Sequence, residues 1–305
     1  MLITTEELAV GDEIGNVYYY SVEWPDQREL AGDGWSGSMT LLARMSIHTQ
    51  QICGLAFSFD GAMFATGGND NLCCLFKTRD VLDSTRSNPY HEEVFIGADG
   101  ARRIHTISNR GQVKEIKSGA EKHRWVHGAA VKAIAFCPWR SGLVATGGGS
   151  NDKCIHFYHT TSGACLATIS VAAQVTSLIW STTRREICAT FGYAQPEHPY
   201  RIAVFSWPEC KQIAAIAWED EHRALYAIAY PGGPNESHTS REGGRGLTRT
   251  AKEGCIVVAS SDESVKFHEV WTASQKATAG GEGLLGGSAI LEGLEGIDKE
   301  GEVIR

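Results

Sequence analysis

Gly147-Gly148-Gly149-Ser150-Asn151-Asp152-Lys153 has the glycines and the lysine of a phosphate cradle. It lacks the Gly-Lys-Ser/Thr ending, however, and it leads into a strand pattern rather than a helix. It reads as a β turn. Gly34-Trp35-Ser36-Gly37-Ser38 places a serine among glycines but misses the last glycine of a nucleophile elbow. Cys73 and Cys74 are adjacent within an apolar run, so they point to opposite faces of a strand, and the chain has no C-x-x-C. His156 and His159 read as a strand residue and a strand-end residue rather than as a metal pair. No catalytic residue, metal ligand or cofactor is assigned, and the chain is not expected to be an enzyme.

Two other sets of residues have a use. His48 and Asp70 flank one run of strand pattern, and His127 and Asp152 repeat the arrangement. A His–Asp pair with no nucleophile beside it has nothing to activate, so it reads as a tie between two turns. The second set is polar: Asn69, Asn71, Ser150, Gln174 and Arg223, each at a turn or just before a strand. Amide side chains read donors and acceptors together, and Arg takes a carboxylate bidentately. Gathered at one mouth, such residues suit an extended acidic and polar peptide. An ordinary polar rim of loop tips accounts for them equally well.

The elements that carry these residues repeat. Val131-Lys132-Ala133-Ile134-Ala135-Phe136 alternates with period two and predicts a strand with one buried face. Cys137 to Gly142 is a turn, Leu143 to Thr146 a second strand, Gly147 to Asp152 a second turn, and Ile155 to Tyr158 a third strand. The same unit recurs from Cys53 to Phe76, from Val175 to Phe205, and from Leu225 across an insertion to His268. Repeats of roughly 40–45 residues with four short strands are the signature of WD-repeat propellers. The expected fold is therefore all-β, a partial propeller of about four and a half blades over residues 1–271. Insertions fall at 77–121 and 232–254, both read as solvated loops, and 272–305 reads as a flexible Gly-rich tail. The first strands, from Glu7 to Ile47, resemble the second, third and fourth of a blade, so the chain is expected to begin inside one.

Charge and composition narrow the partners. The net charge of −8 over 305 residues argues against nucleic acid as the main partner, since phosphate binding needs a basic surface. No apolar run approaches the ~18 residues of a membrane span, and neither a membrane nor a secretory route is expected. Most of the nine cysteines sit within strand patterns, as reduced buried residues of a nuclear and cytoplasmic protein do.

GGNDNL (Gly67 to Leu72), HGAAVKAIAFCPW (His127 to Trp139), ATGGGSNDK (Ala145 to Lys153), AQVTSLIWS (Ala173 to Ser181), FGYAQ (Phe191 to Gln195) and ASSDESVKF (Ala259 to Phe267) together resemble the Fizzy family. These are WD-repeat activators of the anaphase-promoting complex, a multisubunit ubiquitin ligase. The His-Arg-Trp-Val-His entry, the long insertions and the Tyr-rich opening look most like the meiosis-specific fungal branch. The resemblance implies a substrate-recognition adaptor that captures degron-bearing proteins and leaves ubiquitin transfer to other subunits. It places Asn69, Asn71, Ser150, Gln174 and Arg223 on a Lys-Glu-Asn box. It places Glu263 on the arginine of a destruction box, and Ile304-Arg305 on the ligase itself. The family's seven blades and its N-terminal docking tail go beyond this chain, which is expected to be N-terminally truncated. A non-degradative peptide-binding scaffold, or an inactive fragment, is the alternative.

Overall fold

The computed structural model describes residues 5–23, 38–82, 90–96, 102–108, 113–195, 197–218, 220–230 and 255–271. The chain divides into two compact units, Met1–Trp125 and Val126–Arg305. The expected tail, the 232–254 insertion and the Ile304-Arg305 terminus lie outside the described residues.

The first unit carries β1 (Thr5–Gly11), β2 (Asn16–Glu23), β3 (Ser38–Ser46), β4 (Ile52–Phe57), β5 (Met63–Gly68) and β6 (Leu72–Lys77). Then come the short helix α1 (Thr78–Leu82), β7 (Tyr90–Ile96), β8 (Arg102–Ser108), β9 (Lys114–Lys117) and β10 (His123–Val126). One sheet has the order β1-β2-β3-β9, a second the order β10-β6-β5-β4, and β7 pairs with β8 as a hairpin. The alternation that predicts these strands also decides what they bury. Tyr19, Ala43, Met45, Phe64 and Phe76 share one dry cluster, with Phe64 stacked on Phe76 at 5.1 Å between ring centroids and tilted on Tyr19 at 5.4 Å. Aromatic pairs of this kind contribute about 0.5–1.5 kcal/mol beyond the area they bury.

The segment expected as a loop, 77–121, is more structured than that. Val81 and Leu82 of α1 are buried in the same cluster. Ile116, also buried, carries β9 parallel to β3 with Met45 opposite it. Four residues with a single buried apolar side chain are too short a run for periodicity to reveal.

The second unit holds β11 (Val131–Phe136), β12 (Leu143–Gly148), β13 (Cys154–His159) and β14 (Cys165–Ser170), then β15 (Ala173–Trp180), β16 (Glu186–Ala194), β17 (Tyr200–Ser206) and β18 (Gln212–Ala217), then β19 (Ala224–Tyr230), β20 (Cys255–Ser260) and β21 (Val265–Glu269). They form two four-stranded sheets and one three-stranded sheet, each in simple sequence order with antiparallel neighbours. The strands of the central repeat fall where the alternation predicts them. Phe157, Trp180 and Trp207 fill the space between the first two sheets, with Phe157 and Trp207 centroids 4.6 Å apart. Ile202, Val204, Trp218, Ile256 and Val258 do the same between the second and third. Gly147 on β12 packs against Val175 on β15. A Cβ there would lie 2.4 Å from Val175 Cγ1, so the glycine is a packing requirement rather than a phosphate cradle. This architecture is that of a WD-repeat fold, whose repeating unit is a four-stranded antiparallel sheet.

Candidate functional site

The turn ties come first, because they hold the loop ends still. His48 Nδ1 donates to Asp70 Oδ1 at 2.9 Å, and His48 Nε2 lies 2.8 Å from Thr66 Oγ1, which can donate to it. The Thr49 N–H donates to Asp70 Oδ2 at 3.0 Å. Burial alone would raise the Asp70 pKa, but the Thr49 N–H and the His48 ring outweigh it and hold the carboxyl below its usual range. Gly68 is required here, since a Cβ would meet Asp70 Oδ1 at 2.3 Å and His48 Nδ1 at 2.4 Å. The second unit elaborates the arrangement. Asp152 accepts from the Gly128 N–H at 2.8 Å and from His156 Nε2 at 2.9 Å, while His127 Nε2 pairs with Thr146 Oγ1 at 2.7 Å. The sequence pairs His127 with Asp152, whereas the hydrogen bond to the carboxylate comes from His156 Nε2, and His127 acts on it through its charge.

Three of the turns share a backbone device. The residue after each turn aspartate has positive φ: Asn71 at 67°, Lys153 at 54° and Glu263 at 65°. Asn tolerates this left-handed conformation, whereas Lys and Glu do so at a cost of roughly 1–2 kcal/mol. Asn71 and Glu263 therefore have a local conformational role, whatever else they contact. Asn69 is exposed and donates from Nδ2 to Gln50 Oε1 at 2.8 Å. Ser150 is exposed at the tip of its turn.

The second unit brings two of the expected residues together through a third. Gln174, at the start of β15, lies with Oε1 3.5 Å from the Tyr193 N–H on β16. Gly192 leaves room for it, since a Cβ there would stand 2.6 Å from that oxygen. Tyr193 is 58% exposed, and the Arg223 guanidinium lies over its ring, 4.2 Å from the centroid. Arg223 is held by its backbone: its N–H donates to Ser261 Oγ at 2.9 Å, and its carbonyl accepts from the Ser261 N–H at 3.0 Å. One residue earlier, the His222 carbonyl accepts from the buried Arg201 Nε at 2.6 Å. The ring's negative face attracts the Arg223 guanidinium, whose fork of N–H donors suits a carboxylate.

A WD domain, G-beta repeat matches residues 39–77. Meiotic fizzy-related protein 2 of Schizosaccharomyces pombe is 32% identical over 96% of this chain and 48% of its own length. The meiosis-specific APC/C activator protein AMA1 of Saccharomyces cerevisiae is 31% identical over 95% of the chain and 41% of its own length. The chain is a homologue of the Fizzy-related proteins. It spans about half the length of the curated relatives it matches. A chain in the crystal structure of the Mitotic Checkpoint Complex, 28% identical, matches with a TM-score of 0.54 over 87% of this chain and 61% of its own.

In this Fizzy homologue, Tyr193 is the site residue that sequence reasoning passed over. It appeared only inside the FGYAQ motif, and an aromatic on a strand pattern reads as core until neighbouring strands show it to be exposed. Asn69 and Asn71 belong to the first unit, and Ser150, Gln174, Arg223 and Glu263 to the second. Five cysteines, Cys73, Cys74, Cys137, Cys188 and Cys255, are buried as the strand pattern implies, whereas Cys53, Cys154 and Cys210 are half-buried and Cys165 is exposed. Cys73 and Cys74 are fully buried, and burial pushes the Cys74 thiol up to about 12.

Proposed function

We propose that this chain is the degron-reading part of an activator of the anaphase-promoting complex, holding substrate proteins by non-covalent contacts alone. The observation that carries the reading is the Gln174–Tyr193–Arg223 cluster: a cation over an exposed aromatic ring, beside an amide for which a glycine leaves room. Arg223 takes the carboxylate of a Lys-Glu-Asn box, Gln174 pairs with its amide, and Tyr193 provides an apolar floor. Asn69, Asn71 and Ser150 contribute further polar contacts, Glu263 meets the arginine of a destruction box, and Ile304-Arg305 docks on the ligase. The names of the relatives support the ligase as the destination. Nucleus and cytoplasm are the compartments this role requires.

Fluorescence anisotropy with a labelled Lys-Glu-Asn peptide tests the site. Arg223→Ala should weaken binding by on the order of 2 kcal/mol, the scale for removing one partner of a desolvated charge pair. Asn69→Ala should weaken it by less. Unchanged affinity in both variants would move the site elsewhere. A peptide-binding scaffold with no link to the ligase is the second reading, and co-purification separates the two. Deleting Ile304 and Arg305 should reduce recovery of the ligase while leaving peptide affinity intact. Equal recovery would reduce the tail to a leash.

A further inference from the structure

The turn from Gly149 to Lys153 and the start of β13 assemble a donor set that the peptide site does not use. Asp152 Oδ, Cys154 Sγ and His156 Nε2 or Nδ1 lie within 4.8 Å of one another. The spacing is that of a strand: Cys154 and His156, two apart on β13, share a face, and Asp152 enters from the turn below them. His156 and His159, read from the sequence as no metal pair, lie three apart on β13 and so point to opposite faces.

Each of the three donors also has its second atom or its neighbour already engaged. Asp152 Oδ1 accepts from the Gly128 N–H at 2.8 Å, which leaves Oδ2 turned towards His156. His156 Nδ1 lies 3.2 Å from Thr168 Oγ1. A threonine hydroxyl can donate or accept, so Thr168 supports either tautomer of the ring. Cys154 pairs across the sheet with Ser170. Outer partners of this kind orient metal ligands and fix which atom faces the ion.

The equivalent turns show that this chemistry is not a by-product of the fold. Counting from the turn aspartate, the first unit has Asp70, Leu72 and Cys74, where His48 satisfies the carboxylate. The last sheet has Asp262, Ser264 and Lys266, with the Ser264 hydroxyl at 2.5 Å and the Lys266 ammonium at 3.2 Å from the carboxylate. Among these three turns, this one alone offers a thiol, an imidazole and a carboxylate at the same positions.

We propose that Asp152, Cys154 and His156 form a zinc site that ties the Gly149–Lys153 turn to β13. The thiolate and imidazole select a borderline-soft divalent ion over Mg²⁺ or Ca²⁺. A tetrahedral ion roughly 2.0–2.3 Å from each ligand needs its donors about 3.3–3.8 Å apart, a contraction of about an ångström from the outer limit seen here. Binding replaces the Asp152–His156 hydrogen bond. The imidazole proton moves to Nδ1, where Thr168 accepts it, and Nε2 presents its lone pair. Cys154 releases its thiol proton to solvent, and no change of oxidation state is involved. One tetrahedral position remains for water. The turn so tied is the one that carries Ser150.

Cobalt substitution in the full 305-residue chain tests this. Co²⁺ alone should produce the near-ultraviolet charge-transfer band of a cobalt thiolate at one ion per chain. Zn²⁺ should displace it, and excess Mg²⁺ should not. Cys154→Ser should abolish the band with the circular dichroism unchanged, while Cys165→Ser, at an exposed thiol on the neighbouring strand, should keep it. Thr168→Val should weaken Zn²⁺ binding about tenfold, the lower end of the outer-shell range, without removing a ligand. No band, or a band that survives Cys154→Ser or disappears with Cys165→Ser, would overturn the assignment.

Discussion

Gly192→Ala separates the peptide site from the fold that bears it. Gly192 lies in β16 with no positive φ, so alanine fits the backbone there and gains about 0.4–1 kcal/mol through the unfolded chain. The new Cβ meets Gln174 Oε1 at 2.6 Å and Thr176 Cγ2 at 3.1 Å. The first contact is with the far end of a flexible side chain, which can swing away. The second asks for a few tenths of an ångström. Net stability should therefore change by less than about 1 kcal/mol, since the backbone gain offsets the crowding. Gln174 cannot stay where it is, however, and both its contact with the Tyr193 N–H and its pairing with a bound amide are lost. A neutral hydrogen bond contributes about 0.5–1.5 kcal/mol, so peptide affinity should fall roughly threefold to tenfold. Urea unfolding and peptide anisotropy on the same preparation measure the two quantities. Full affinity in the alanine variant would show that Gln174 does not read the peptide. A loss of stability of several kcal/mol would show that β15 and β16 cannot yield at this point.

Two further outcomes follow from buried polar groups. His268 is buried against Trp218, and burial, with the Lys266 charge adding to it, depresses its pKa to about 4 from an ordinary 6.5. The unfolded chain then binds the extra proton first, so stability is full above about pH 6.5 and declines as pH falls towards about 4, by on the order of 3 kcal/mol in all. His268→Phe should flatten that part of a denaturant-midpoint profile, and an equally steep profile would assign the dependence to another group. Arg201, 2% exposed, donates to the carbonyls of His198, Tyr200 and His222 and pairs with Glu197. Arg201→Met should cost roughly 3 kcal/mol by leaving those acceptors unmet, and Arg201→Lys should recover only part of it because an ammonium cannot span the same carbonyls. Equal urea midpoints for wild type and Arg201→Met would show that water replaces the guanidinium.

The propeller architecture was legible in the chain because its cause is local. Period-two alternation in Val131–Phe136 and turns rich in Gly and Asp are written residue by residue, and repetition shows that each copy must stack on the next. The first turn tie was legible for the same reason, with His48 and Asp70 in one repeat, whereas in the second repeat His156 bonds the aspartate that the sequence pairs with His127. What escaped were features whose cause lies between strands. The β9 strand has one buried side chain, Ile116, and becomes a strand only because β3 offers it an edge. Tyr193 and Arg223 are thirty residues apart by number, and nothing in either sequence neighbourhood says that one ring will lie beneath the other's guanidinium. Asp152, Cys154 and His156 are close in sequence, yet their convergence depends on the turn's left-handed Lys153 and on Thr168 and Ser170 across the sheet. Alternation is a property of a single strand and can be read from it. The meeting of side chains is decided by register and sheet packing, which exist only once the strands have paired.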